Sequence, residues 1–149
     1  MATTTTTRTA AGTSGKYCER GVFCDAVTYT AAALTFAAAD VIQMIRVDGA
    51  NSPGGITVIG IDLYASDCGT VTAHVGDGTS TAWAMNTVDL GTTAGIAYRM
   101  GQGVTQSSTV GFPRLYTTND TIDLTSVAIT GTLTGTITMV VWMIAGPIS

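Results

Sequence analysis

Short runs of residues that alternate between apolar and polar side chains constrain the fold of this chain more than any other feature. The clearest run begins at Ile56, where Ile56 and Val58 would face one way and Thr57 and Ile59 the other. Gly, Asn, Asp and Pro end such runs after roughly five to ten residues, and no helical period is longer than about ten residues. The pattern predicts an all-β fold, an antiparallel β-sandwich or a jelly-roll-like barrel of about eight strands.

The same pattern excludes two other architectures. Parallel β-α-β units need crossover helices, for which the chain has no suitable segment, and no repeat of fixed period indicates a solenoid or a propeller. One domain accounts for a chain of 149 residues, since domains usually hold roughly 100–200 residues. The predicted strands cover residues 25–30, 40–48, 55–66, 69–75, 82–85, 95–100, 111–116, 121–130 and 136–144.

Several local features are also predicted. The short connection 66–69 favours an antiparallel hairpin between its flanking strands, and the apolar strand 136–144 is expected to be buried on both faces. The alanine-rich segment 31–40 favours one or two helical turns. Gly76-Asp77-Gly78 is typical of a tight hairpin turn with a positive φ at glycine.

Charge is scarce in this chain. Only 11% of the residues are charged, against roughly 25% in typical soluble domains, and Thr, Ala and Gly replace them. Because interface cores are depleted in charge, the Thr-rich outer strand faces are expected to be covered by other copies, which predicts a homo-oligomer. The net charge of −4 disfavours nucleic acid as a partner, since phosphate binding needs clustered cations.

The first fifteen residues have no hydrophobic period and nothing bulky to bury, so ordering them would cost entropy without a return. They predict a flexible Thr-rich arm over 1–15, followed by a single β-sandwich domain over 16–149. The arm is not a secretory signal, and the longest apolar run, 139–145, is far below the roughly 20 residues of a membrane helix. We therefore expect synthesis in a cytoplasm and no membrane partner. The arm residues expected to contact a neighbouring subunit are Thr3, Thr4, Thr5, Thr6, Thr7 and Arg8.

No constellation in the sequence has the form of an active site. His74 is the sole histidine and is expected on the Thr face of a strand, partly exposed, rather than as a general base. Asp120 and Asp123 have the spacing of turn residues that lead into a strand, with the binding of a cation or a hydrolase carboxylate pair as the alternatives. We therefore predict no catalytic residue, no metal site and no cofactor.

The cysteines Cys18, Cys24 and Cys68 are odd in number and contain no CxxC pair, which argues against structural zinc. Reduced, partly buried thiols are favoured, with a Cys18–Cys24 disulfide as the alternative.

The aromatic residues divide by the strands that carry them. Trp142 lies in the most apolar strand and is predicted to be in the core. Trp83 lies in a short polar strand, and Trp83 and Tyr98 are the candidates for an exposed aromatic patch. Such a patch would favour a binding module.

A longer pattern resembles a known family. The stretches ALTFAAADVIQMIRVDGA, ITVIGIDLYAS and TVTAHVGDGTSTAWAM, within residues 31–85, are similar to small virion proteins of tailed phages. Asp48-Gly49 departs from that family, in which a basic residue and Pro are commoner at this turn.

The resemblance implies a non-enzymatic capsid decoration or cement protein that binds and stabilises the head lattice at the capsid surface of the virion. Its partners would be the major capsid protein and further copies of itself, with a trimer preferred by analogy with the three-fold positions of icosahedral lattices. The alternative is a receptor- or glycan-binding module of a tail or head appendage, centred on Trp83 and Tyr98.

Overall fold

Two β-sheets stacked face to face form the computed structural model of the protein, which describes residues 3–5, 21–31, 34–35, 37–91, 96–100, 113–130 and 132–146. The strands in these ranges are β1 (Thr3–Thr5), β2 (Phe23–Thr30), β3 (Leu34–Thr35), β4 (Val41–Asp48), β5 (Ile56–Ala65), β6 (Thr70–Gly76), β7 (Met85–Asp89), β8 (Ile96–Arg99), β9 (Arg114–Tyr116), β10 (Asn119–Thr130), β11 (Thr132–Leu133) and β12 (Thr136–Ala145). A single 3-10 turn, Gly49–Asn51, follows β4.

Sheet A has the strand order β1-β4-β10-β6-β7, and sheet B has the order β2-β12-β5-β8, with β9 also paired to β5. A separate two-stranded ribbon joins β3 and β11. The strands pair antiparallel except for β1 and β4, which run parallel. The predicted all-β sandwich is confirmed, and eight of the strands described are four residues or longer, close to the predicted number of about eight.

These eight long strands pair in a nested way. The first, β2, pairs with the last, β12, and β4 pairs with β10, β5 with β8 and β6 with β7. Successive nested pairs alternate between sheet B and sheet A. The arrangement is that of one long hairpin, with its tip between β6 and β7, wound into two layers.

β5 illustrates how the core is built. Ile56 and Val58 are buried, and after Ile59 the inward positions change to Ile61 and Leu63. The pairing register of β5 with β12 shifts at Ile59, so this residue is the extra one of a β-bulge. Strict alternation predicted the strand correctly, but it assigned the same inward and outward positions along the whole strand. The bulge exchanges these positions halfway along, and it leaves no signal of its own in the alternation.

The predicted hairpin across residues 66–69 is wrong. β5 belongs to sheet B and β6 to sheet A, so this connection crosses between the layers. Ser66 N–H donates to Thr136 O in β12, whereas Cys68 N–H donates to Leu90 O beyond β7. Gly69 has φ +78 and turns the chain into β6.

The last strand differs from its prediction as well. β12 buries Ile137, Met139, Val141 and Met143 against the other sheet, but Trp142 is 39% exposed on the opposite face. The strand is therefore buried on one face, and its high apolar content reflects a second surface that the folded monomer leaves open.

Two further segments depart from expectation. The described residues of 31–40 contain the short strand β3 and a turn instead of helical turns, because Leu34 pairs with Leu133. The strand predicted at 82–85 begins only at Met85, and the residues before it belong to a loop.

Part of the Thr-rich segment is described. Thr3–Thr5 form β1 and pair in register with Val41–Gln43 of β4. Residues 6–15 lie outside the described residues, so the flexible arm and the domain boundary at residue 16 stay predictions. No helix in the part of the chain that the structure describes is long and apolar enough to cross a membrane.

Candidate interaction surfaces

The outer face of sheet B carries two large exposed hydrophobic residues, Tyr64 and Trp142. Cross-strand neighbours form three rows on it, which together define the sheet B face. The rows are Cys24–Trp142–Gly60, Ala26–Val140–Asp62–Arg99 and Thr28–Thr138–Tyr64–Ala97.

Trp142 is held in place on this face by contacts with two residues of β5, Gly60 and Asp62. Its indole lies over Gly60, where an added Cβ would sit 3.4 Å from Trp142 Cδ1. Its Nε1–H donates to Asp62 Oδ2 over 3.0 Å. The large apolar ring is therefore held in place while 39% of the residue stays exposed.

Asp62 links three strands of the face. Besides Trp142, Arg99 donates to it from β8, with Nε 2.8 Å from Oδ1 and an Nη2 contact of 3.4 Å to Oδ2. Burial disfavours the ionised carboxylate, but the hydrogen bonds from Arg99 and Trp142 and the charge of Arg99 hold the pKa of Asp62 below its ordinary value. The Asp62 carboxylate is thus ionised, and the charge of Arg99 balances it.

Charge is otherwise missing from the described residues of the face. Asp62 and Arg99 neutralise each other, Thr28 and Thr138 share a hydroxyl hydrogen bond of 2.8 Å, and Tyr64 is 45% exposed. A surface with exposed aromatic rings and no net charge has the composition of an interface core. The low charge of this face agrees with the composition, and its coverage by other copies stays a prediction.

The predicted aromatic patch of Trp83 and Tyr98 is wrong. Trp83 is 1% exposed and packs against Tyr116, with the ring centroids 6.5 Å apart. Tyr98 is half-buried against the core, and its hydroxyl donates to Asp89 O over 2.6 Å. The assignment of the two tryptophans is reversed, because Trp83 lies in a polar loop that closes one end of the sandwich whereas Trp142 points outward from an apolar strand.

A buried ion pair holds that end of the sandwich. Asp77 is fully buried; its Oδ1 accepts from Thr79 N–H over 2.9 Å and from Ser80 N–H over 2.8 Å. Its Oδ2 accepts from Tyr116 Oη over 2.8 Å and from Arg114 Nη2 over 2.6 Å. Since Arg114 and Tyr116 belong to β9, the Asp77 carboxylate connects the loop after β6, a strand of sheet A, to sheet B.

Arg114 completes the cluster by covering two rings. Its guanidinium carbon lies 5.3 Å from the Trp83 ring centroid and 5.5 Å from that of Tyr116. Burial and the hydrogen bond to Asp77 raise the pKa of Tyr116, so the phenol stays a donor. The charges of Asp77 and Arg114 balance each other within the fold, so the cluster is structural.

The loop that carries Asp77 is not the predicted tight turn. Neither Gly76 nor Gly78 has a positive φ, and eight residues, 77–84, separate β6 from β7. Gly76 is required for another reason, since an added Cβ would lie 2.2 Å from Ser80 O. The Asp77 side chain, by accepting two backbone N–H groups, organises the loop as an Asx turn does.

His74 lies where the sequence placed it, half-buried on the outer face of sheet A. Its Nδ1 accepts from Thr87 N–H over 3.0 Å, which steadies a bulge where Thr87 has φ +57. Burial lowers the pKa of His74. The imidazole is therefore a neutral acceptor in the sheet.

Asp120 and Asp123 both lie within β10 instead of in a turn before it. Their spacing of three residues points them to opposite faces of the strand, because strand side chains alternate. They do not form the face-to-face carboxylate pair of a hydrolase. Asp123 is 4% exposed on the outer face of sheet A, and burial, together with the charges of Asp120 and Asp77, raises its pKa to about 6 although Thr121 donates to it.

This raised pKa predicts a pH dependence of stability. The folded-state pKa of Asp123 lies above its ordinary value of 3.8, so the folded chain holds the proton more tightly and this stabilisation is present below about pH 4. It is lost as the pH rises through about 6, by up to roughly 3 kcal/mol. Urea unfolding from pH 4 to 7.5 should show this decline and Asp123→Asn should flatten it, whereas Asp67→Asn, at an exposed carboxylate, should not. An equal slope in both variants would contradict the assignment.

Cys24 is free and exposed, and Cys68 is free and buried. Burial raises the pKa of the Cys68 thiol, which donates to Thr136 O over 3.6 Å. Cys18 lies outside the described residues. Within the ranges that the structure describes, no three His, Cys, Asp or Glu side chains are grouped as a metal site.

No protein-family model and no curated protein matches the sequence. Among solved structures, a chain from the capsid of Ralstonia phage GP4 superimposes with a TM-score of 0.63 at 17% identity, covering 86% of each chain. A chain from the capsid asymmetric unit of cyanophage Pam1 gives a TM-score of 0.51 at 20% identity, covering 95% of this chain and 94% of that one. Both neighbours come from phage capsids. At these identities the likeness establishes a shared fold, which extends over nearly the whole length of all three chains.

Proposed function

We propose that the protein is a non-enzymatic structural component of a phage virion, and that it acts as a decoration or cement protein on the capsid surface. The observation that carries the proposal is the fold shared with chains of two phage capsids along most of the sequence. The resemblance of residues 31–85 to small virion proteins of tailed phages points the same way. In this role the chain binds the major capsid protein and stabilises the head lattice.

The strand order supports this assignment independently of sequence. Nested pairing of eight long strands across two sheets supports the jelly-roll-like alternative for this sandwich, an architecture that recurs in viral capsid proteins. The fold alone does not set a function, so the assignment depends on the surfaces as well.

We propose further that the sheet B face lies in the interface between copies of this chain, with a trimer as the preferred assembly. Trp142 and Tyr64 are exposed on it, and the Asp62–Arg99 pair leaves it without net charge. Such a face can approach another copy without like-charge repulsion. The arm over residues 1–15 would then reach the capsid or a neighbouring subunit.

Binding to capsids tests the function directly. Heads of the encoding phage, assembled without this chain, should bind the purified protein in co-sedimentation and become more resistant to heat. Gold-labelled protein should decorate the head lattice in electron micrographs. Label confined to the tail or to one vertex would favour an appendage, and no binding at micromolar concentration would overturn the proposal.

Association can be tested on the isolated protein. It should sediment as a stable oligomer at micromolar concentration through an interface of more than roughly 1,000 Å². Raising the salt concentration from about 50 to 500 mM should leave it intact, because few charges cross the interface. The double change Trp142→Ala and Tyr64→Ser should release monomers, whereas Val127→Ser, at an exposed position of sheet A, should not. A monomeric wild-type protein would contradict the proposed interface.

Removing the arm separates attachment from folding. Deleting residues 1–15 should change the melting temperature by only a few degrees, because the described part of the arm is a three-residue strand at a sheet edge. The same deletion should weaken co-sedimentation with heads. A large drop in melting temperature would instead make the arm an integral part of the domain.

The glycan-binding alternative loses the residues on which it depended, since Trp83 is buried and Tyr98 is packed against the core.

A further inference from the structure

A cavity of about 510 Å³ lies on the outer face of sheet A, between β4, β10, β6 and the loop after β6. Its walls combine apolar and polar side chains. The residues whose side chains matter to its chemistry are Val41, His74, Asp123, Thr125 and Val127. None of the functions proposed above uses this cavity.

Two oxygen atoms of the wall are buried without a hydrogen-bond partner. They are Asp123 Oδ1 and Thr125 Oγ1, from residues that are 4% and 8% exposed. Both residues lie on the outer face of sheet A, where Asp123 pairs with Gln43, and Thr125 pairs with Val41 and His74. Buried polar atoms in native proteins nearly always have a partner, so two unpartnered oxygens beside one cavity indicate a missing donor group.

The charges around the cavity define what that donor can be. Asp77 also lines it, but its charge is already matched by Arg114. Among the described residues Asp123 has no ion-pair partner, and the carboxylates of Asp120 and Asp77 repel its charge. β4 contributes the uncharged Gln43, and β6 contributes His74. An anion would be repelled here, whereas a cation would supply a counterion to Asp123.

We propose that this cavity binds the side chain of a lysine from a partner polypeptide. An ammonium group has three N–H donors and no acceptor, so it can donate to both unpartnered oxygens at once. Val41 and Val127 supply an apolar wall for the methylene stem. Arginine fits less well, because its planar fork binds a carboxylate through both oxygens and Asp123 offers one. The inference goes beyond the proposed function and stands without it.

The test is a titration of the full-length ¹⁵N-labelled protein at pH 7.5 with Nα-acetyl-lysine methylamide, followed by NMR. We expect saturable shifts of β10 amides at millimolar probe. The neutral analogue Nα-acetyl-norleucine methylamide should leave those amides unshifted. Asp123→Asn, which keeps the shape and removes the charge, should weaken binding at least tenfold, whereas Asp67→Asn should not.

The pH supplies a second comparison. At pH 5 Asp123 is mostly protonated, given its pKa of about 6, so binding to the wild-type protein should fall roughly tenfold. His74→Gln should retain this fall, which separates Asp123 from the imidazole. Equal binding of the norleucine analogue, unchanged binding by a folded Asp123→Asn variant, or no shift up to about 100 mM probe would overturn the proposal. None of these outcomes bears on attachment to phage heads.

Discussion

Replacing Trp83 with alanine should lower the free energy of unfolding by about 3–5 kcal/mol, the range for truncating a buried aromatic residue. Trp83 is 1% exposed, packs against Tyr116 and lies beneath the guanidinium of Arg114. Its indole Nε1 has no hydrogen-bond partner in the described structure, so the loss comes from packing and the cation–π contact. Urea unfolding at pH 7 followed by fluorescence and by circular dichroism measures the change.

Trp142→Ala is the matched control, with all proteins compared at a concentration low enough for each to be monomeric, because association adds to apparent stability. The exposed Trp142 ring covers Gly60 and donates one hydrogen bond to Asp62, which together are worth about 1 kcal/mol. If the two alanine variants lost equal stability, or if Trp142→Ala lost more, the positions of the two tryptophans in the fold would be wrong.

Replacing Asp77 with alanine should lower the free energy of unfolding by about 3–5 kcal/mol as well. Removing one member of a buried ion pair leaves the other charge buried without compensation. Here the change leaves Arg114, whose side chain is 16% exposed, without its counterion. It also removes the acceptor of Tyr116 Oη and of two backbone N–H groups. Chemical unfolding over a range of temperatures would measure the loss.

The exposed pair of Arg46 and Asp48 provides the comparison for Asp77. Its side chains are 64% and 44% exposed, so Asp48→Ala should cost less than about 1 kcal/mol. Since Trp83 and Asp77 share Arg114, combining both alanine changes should cost less than the sum of the two. A loss at Asp77 no larger than that at Asp48 would contradict the role of the buried cluster.

The sequence predicted the strands well because the alternation signal is local. β4, β5, β6, β10 and β12 lie close to their predicted ranges, since each run reports its own period of two. Alternation separates two faces but does not determine which face is inward when both are largely apolar. For β12 the face that turns inward depends on how β5 and β2 pack beside it. The sequence pattern therefore assigns Trp142 to the core, whereas the structure places it on the outer face.

Contacts between distant segments account for the other errors. The polar loop 77–84 gives no local sign that Trp83 would fill the end of the sandwich, because the residues that enclose it, Arg114 and Tyr116, come from β9. A four-residue connection suits both a hairpin and a crossing between sheets, so residues 66–69 were ambiguous. The orphaned oxygens at Asp123 and Thr125 have no sequence signal, since they depend on the pairing of β10.

The nested strand order also has a consequence for how the chain reaches its fold. Of the four nested pairs, only β6 with β7 joins strands that are neighbours in sequence, and β2 can pair with β12 only after residues 136–145 have been synthesised. Loops that close over such separations make folding slow. Until then the newly made chain presents unpaired strand edges, which are templates for aggregation. Folding should thus spread outward from the β6–β7 tip. The solubility of the nascent chain then depends on how soon β12 is synthesised and pairs with β2.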